Sequence, residues 1–169
     1  MRAESRGRWL AVVVCIVVAI ASHDASAAKL KPGRLTARIG GRAFRAIPTS
    51  VRGVYGSTLV NFSGTTRLQR GVVRALGVSC TIDDLRAAML PVTVPCAADY
   101  VETVPGAHTS PQDWSTTQGI SVTFQVVGAS RVRGTFSGTI ETTDSSHPQD
   151  GPVSVSRGRF SVALLDSGS

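Results

Sequence analysis

The C-terminal third of the chain alternates, and that alternation narrows the fold class first. Ile120, Val122, Phe124 and Val126 are interleaved with Ser121, Thr123 and Gln125. After a turn at Gly128-Ala129-Ser130, Val132, Gly134, Phe136, Gly138 and Ile140 face one way. Arg133, Thr135, Ser137, Thr139 and Glu141 face the other. Val153-Ser154-Val155 follows a polar loop over 142–152, Arg157-Gly158 turns the chain, and Phe160, Val162 and Leu164 close it. Successive side chains in a strand point to opposite faces, so a period of two means one face in a core and one in water. A helix would need apolar residues every three or four positions instead.

The N-terminal half carries the same signal in shorter pieces. Leu35 to Ile39 and Arg42 to Ala46 are two alternating runs joined by Gly40-Gly41, a hairpin signature because both glycines tolerate positive φ. Pro48 stops the second run. Val51 to Tyr55, Ser57 to Gly64, Gly71 to Ile82 and Asp99 to Val104 read as further strands. In the run from Gly71 to Ile82, Arg74 is the one charged residue on an apolar face, and it is expected at the strand's edge. Asp83 to Leu90 is the one stretch that could form a helix, ended by Pro91, and it could equally be a turn. Pro105 to Gly119 reads as a loop, with Trp114 as its candidate contact residue. The expectation is an all-β fold: a single antiparallel β-sandwich or small barrel with at most one short helix. The glycines beside Phe136 predict strong curvature or close sheet contact.

Residues 1–27 read as a signal peptide. Arg2, Arg6 and Arg8 precede the apolar run Leu10 to Ala21, and Ala25-Ser26-Ala27 fits a cleavage site. As a helix that run would be about 18 Å long, short of the roughly 30 Å core of a bilayer. Residues 28–34 would then be a flexible N-terminal segment and 35–166 a single all-β domain. The implied location is outside the cytoplasm, periplasmic or secreted. Cleavage removes Cys15 and leaves Cys80 and Cys96, which in an oxidising compartment have one possible pairing. The competing readings are a metal pair, for which no further ligand is suitably spaced, and two free thiols. Hydrophobic residues at 42% against 17% charged exclude a disordered tail protein. No later apolar run is long enough for a transmembrane helix.

Three quoted stretches carry a resemblance. They are Leu35 to Phe44 (LTARIGGRAF), Arg133 to Thr139 (RGTFSGT) and Gly158 to Val162 (GRFSV). In this order the chain resembles a group of small exported bacterial β-domain proteins of uncharacterised function: an opening hairpin, a variable middle, a G-T-F-S strand and a closing G-x-F-x-V strand. The resemblance implies the architecture and no activity. Many members of that group carry a lipid-anchor cysteine; Cys15, preceded by the bulky Val14 where such processing wants a small residue, is not expected to serve as one, so anchoring does not carry over.

Charge points to the class of partner. The formal net charge is +7. Between Lys29 and Arg74 there are ten basic residues and no acidic one, whereas from Ala75 onward there are five basic and nine acidic. Such a field attracts polyanions. Outside the cytoplasm these would be an anionic envelope polymer, a lipid headgroup or an acidic protein. Arg38, Arg42, Arg45 and Arg52 are the candidate anion-binding residues, against the plainer reading of solvated strand faces. Nucleic acid fits poorly, because the few aromatics are needed for a core.

Catalytic patterns are weak. His108 and His147 each lie near a Pro-Gln-Asp, but the spacing matches no metal motif. Asp83-Asp84 is better explained as a cap than as paired catalytic carboxylates. No Gly-x-Ser-x-Gly elbow, phosphate loop or dinucleotide fingerprint occurs, so no cofactor is implied. The favoured expectation is a non-catalytic exported β-domain that binds a ligand or partner at the cell envelope. The alternative is a proteinaceous inhibitor of a secreted hydrolase, probing with the Cys80–Cys96 loop or with residues 105–119.

Overall fold

A computed structural model describes residues 32–55, 58–106, 112–128, 130–142, 151–163 and 165–166. The expected signal peptide, His108 and His147 lie outside these residues.

The hairpin around Gly40-Gly41 forms as expected: β1 (Arg34–Ile39) and β2 (Arg42–Arg45) pair antiparallel, and both glycines have positive φ. Arg34 belongs to β1 rather than to a flexible segment. Pro48 opens a single 3₁₀ turn, Pro48–Ser50. β3 (Arg52–Tyr55), β4 (Leu59–Arg67) and β5 (Val73–Thr81) follow, with a second 3₁₀ turn at Gln69–Gly71. β6 (Val92–Thr103), β7 (Gln112–Val127), β8 (Arg131–Thr142) and β9 (Val153–Ala163) are long, and β10 (Leu165–Asp166) is a short extension of β9. Residues 83–90 form turns, with the Ala87 N–H donated to the Asp84 carbonyl, and not a helix.

All strands lie in one sheet, ordered β10-β3-β4-β5-β6-β7-β8-β9-β1-β2. Every pairing is antiparallel except β10 with β3. The sheet curls into a half-barrel instead of stacking as two layers. Its ends are tied together in two places. β10 carries the chain from β9 across to β3. On the other side the Ile47 N–H is donated to the Thr65 carbonyl at 2.7 Å, and the Ser50 hydroxyl accepts the Thr65 N–H at 2.9 Å.

The concave face holds the core, because each strand turns its apolar set inward. Leu35, Phe62, Leu76, Ile120, Val122, Phe124, Val132, Ile140 and Val162 are all almost fully buried. At its centre Phe62 stacks on Phe160 with ring centroids 4.2 Å apart, and Phe124 meets Phe160 edge-on at 5.8 Å. These are the offset and edge geometries that aromatic quadrupoles favour. The glycines of the G-T-F-S stretch serve close packing: a Cβ at Gly134 would lie 2.7 Å from Phe160 ring carbons.

Cys80 and Cys96 stand directly opposite each other on β5 and β6, with Cα atoms 4.5 Å apart, and are joined as a disulfide. The crosslink closes a loop with a sequence separation of 16; in the chain-entropy account this stabilises the fold by about 3 kcal/mol.

Two local readings are corrected. Val126 does not share the face of Phe124: a register shift between them turns Val126 outward, 48% exposed, and packs Val127 against the core. Arg157-Gly158 is not a turn but a bulge inside the continuous strand β9.

Candidate functional site

The four arginines singled out from the sequence do not form one cluster. Arg38 and Arg45 lie on the outer face of the β1–β2 hairpin, and Arg38 donates to the Gly41 carbonyl at 3.4 Å. Arg52 is turned back onto its own neighbourhood, donating from Nη1 to the Thr49 carbonyl at 2.7 Å. Arg42 follows the parity of Phe44 and lies 4.0 Å from Glu102.

Glu102 is the hub of a polar group set into the core face. Arg74 sits there, 7% exposed, not at a solvated strand edge. Its Nε is 2.9 Å from Glu102 Oε2 and its Nη2 3.3 Å from Oε1, a two-pronged contact. Register dictates the pairing, since Arg74 and Glu102 are directly opposite on β5 and β6. The Tyr100 hydroxyl donates to Oε2 at 3.2 Å. Burial pushes the Tyr100 hydroxyl well above the usual tyrosine value; the nearby Arg74 charge opposes this and Glu102 adds to it. A carboxylate held by a guanidinium and a phenol is a structural ion pair, with both oxygens already accepting hydrogen bonds.

Trp114 is not a loop contact. It lies on β7, 7% exposed, opposite Tyr100 with ring centroids 5.3 Å apart. Its indole N–H has no partner among the described residues. The sequence hid this first part of the strand because Trp114 is the one large apolar residue among Ser115, Thr116, Thr117 and Gln118.

Arginines do gather elsewhere, on the outer face of β8, β9 and β1. A groove of about 770 Å³ runs across this face. Arg34, Arg157 and Arg159 line it, with the hydroxyl residues Thr36, Ser121, Thr123, Thr135 and Ser137. Among the described residues no carboxylate lines it. Register explains the meeting of distant segments. Arg159 on β9 is opposite Thr36 on β1 and Thr135 on β8, and Arg34 is opposite Ser161. Arg133 flanks the groove on β8, also opposite Ser161.

Arg157 reaches the groove through the β9 bulge. Phe136 pairs with Gly158, but Gly138 pairs with Val155, so β9 has one residue more than β8 over this step. β1 shows the same shift, between Thr36 and Arg38. Strict alternation would turn Arg157 to the same side as Val155. With the extra residue, Val155 is buried, Ser156 and Arg157 are both exposed, and Gly158 is buried. Arg157 adopts φ +53° to do this, a conformation L residues enter rarely.

Counting charge by segment missed Arg157 and Arg159, because they lie in the half where acidic residues dominate. The available signal was an isolated glycine between two arginines inside an alternating run, which marks a bulge as readily as a turn. Among the described residues no three His, Cys, Asp or Glu side chains come together as a metal site. No helix among them is long and apolar enough to cross a membrane. Searches with this chain of protein-family models, of curated proteins and of solved structures find no match.

Proposed function

We propose that this is an exported, non-catalytic β-domain that binds an anionic ligand at the cell envelope through the outer face of β8, β9 and β1. The observation that carries the reading is Arg34, Arg157 and Arg159 in one groove, with no carboxylate among the described residues that line it. A one-signed concave surface focuses field and raises the local concentration of counter-charged ligand. Arg38 and Arg45 extend the basic surface onto the hairpin, and Arg42 and Arg52 are the lesser contributors. Export is supported by the leader-like residues 1–27 and by the disulfide, which persists in oxidising compartments.

The test is retention of the purified chain on heparin-agarose against neutral agarose. Retention at about 0.15 M salt, lost on raising salt and weakened by Arg34→Glu with Arg159→Glu, is the expected result. Equal elution of the charge-reversed and native chains overturns the reading.

A second reading has one observation of its own. Met89, in the β5–β6 connection closed by the disulfide, is 91% exposed, while Leu85 in the same loop is fully buried. An anchored loop that presents a flexible apolar side chain is the form of an inhibitor of a secreted hydrolase. Inhibition of a protease or glycosidase panel that disappears in Met89→Asp would favour it; unchanged enzyme rates would dismiss it.

A further inference from the structure

We propose that the β8–β9–β1 groove recognises phosphate or sulfate ester groups on an extended sugar polymer, rather than anions in general. This rests on the reading of an anion-binding outer face and adds the chemistry of the ligand. Three features lead to it.

The first is that the groove's guanidiniums are uncommitted. Arg74, Arg52, Arg38 and Arg131 each donate to a group within the protein. The guanidiniums of Arg34, Arg157 and Arg159 make neither a hydrogen bond nor an ion pair among the described residues. Three planar forks left open in one groove match oxyanions, which accept two parallel hydrogen bonds per guanidinium.

The second is the mixture of donors. Arg159 stands between Thr36 and Thr135, and Ser137 and Ser121 pair with each other across β8 and β7. A carboxylate offers two coplanar oxygens, which one fork satisfies. A tetrahedral ester offers three terminal oxygens in different directions, and hydroxyls beside the fork reach the third. Sugar hydroxyls between the esters would use the remaining Ser and Thr groups. Arg157 and Arg159 are two residues apart along β9, about 6.6 Å, and Arg34 is diagonal to Arg159 across β1 and β9, about 7–8 Å. The groove therefore suits charged groups repeating at about 7–8 Å.

The third is what the surface does not provide. Every described aromatic side chain is buried, so none can stack an unpaired base or a neutral sugar ring. Phe136 is the one large apolar residue lining the groove among the described residues, and it is 3% exposed. Nothing there would enter a lipid layer. The left-handed backbone at Arg157 brings a third guanidinium to these hydroxyls, and bulges of this kind commonly re-aim a side chain at a site.

The experiment is calorimetric titration of the purified chain. Its probes are heparin oligosaccharide, a phosphorylated mannan, polygalacturonate of matched charge, duplex DNA, vesicles containing phosphatidylglycerol, and inorganic phosphate and sulfate. The expected result is that heparin or phosphomannan binds at least about tenfold more tightly than polygalacturonate, DNA and vesicles, as charge-assisted hydrogen bonds would give. The comparison of the two esters tells sulfate from phosphate. Arg157→Gly and Arg159→Gln should each weaken that binding about tenfold, while Arg70→Gln, at the β4–β5 turn, leaves it unchanged. The slope of log affinity against log salt should be about −2 for three contacts. If polygalacturonate binds as well as the esters, ester recognition is overturned and anion binding by the groove stands. If the groove variants bind like the native chain while Arg38→Glu with Arg45→Glu does not, ester recognition and the groove reading are both overturned. If DNA or vesicles bind best, the polymer class is wrong. If no polyanion binds, both readings fall.

Discussion

Gly158 on β9 lies directly across from Phe136 on β8, and the Phe136 ring fills the space a side chain at 158 would need. A Cβ at that position would fall 2.6 Å from ring carbons. Gly134 and Phe160, also opposite each other, repeat the arrangement. Each glycine lets an aromatic ring lie flat against the backbone, and the curled sheet closes over the pair. Gly158→Ala should therefore overpack a core that has no room to give, at about 1–3 kcal/mol. Urea unfolding measures it: the midpoint should fall with the slope unchanged, because the area exposed on unfolding does not alter.

The ion pair between Arg74 and Glu102 makes a second expectation. Both side chains are largely buried, 9% and 16% exposed. Glu102→Ala strands a guanidinium in the core face, a change that costs about 3–5 kcal/mol. Arg42, whose side chain is 71% exposed, cannot replace the lost partner because it carries the same charge. Arg74→Met with Glu102→Leu removes both charges and should cost less than the single change. A double-mutant cycle by denaturant unfolding reads the coupling directly.

Alkaline pH tests the same cluster through Tyr100. Its folded value is raised, first by burial, above the roughly 10 of an unfolded tyrosine. The stabilisation is complete below pH about 10, where the hydroxyl is protonated in both states. It is lost as pH rises through the folded value, because the unfolded chain releases its proton first. The native chain should lose stability above pH about 10 at up to about 1.4 kcal/mol per pH unit. Tyr100→Phe starts lower, by about 1 kcal/mol for the missing hydrogen bond, and should lack that contribution to the slope. Parallel slopes would contradict the burial of the phenol.

How much of this was legible depends on which physical signal each part uses. Alternation identified β1, β2, β8 and the two halves of β9, because there one face is apolar and the other polar at almost every step; the bulge that joins those halves was read as a turn. The Cys80–Cys96 pair was legible from elimination alone. The second half of β7 was legible by alternation too, but the first was not, because residues 112–116 pair with β6 and 114–115 with β8 through backbone while offering the core little beyond Trp114. Arg74 was misplaced because a sequence does not say that Glu102 will stand opposite it. The groove was illegible for a related reason. Arg34 and Arg159 are far apart in the chain, and the register of β1 on β9 is what places them on one face. Segment charge counts could report that arginine was abundant, but not where a bulge would aim it.

The bulge itself supplies the last expectation. Arg157 holds φ +53°, a conformation that costs an L residue about 1–2 kcal/mol. Glycine enters it freely, at an entropic disadvantage of about 0.5–1 kcal/mol. Arg157→Gly should thus leave the fold unchanged or stabilise it by up to about 1 kcal/mol, a rise of about 2–5 °C in Tm. The same substitution removes a guanidinium from the groove and should weaken heparin binding. Stability and binding moving in opposite directions is the mark of a backbone held in an unfavourable state for a ligand. A fall in Tm would mean that the Arg157 side chain supports the barrel wall, and the bulge would then have a packing explanation. Differential scanning calorimetry and heparin titration on one preparation decide between the two.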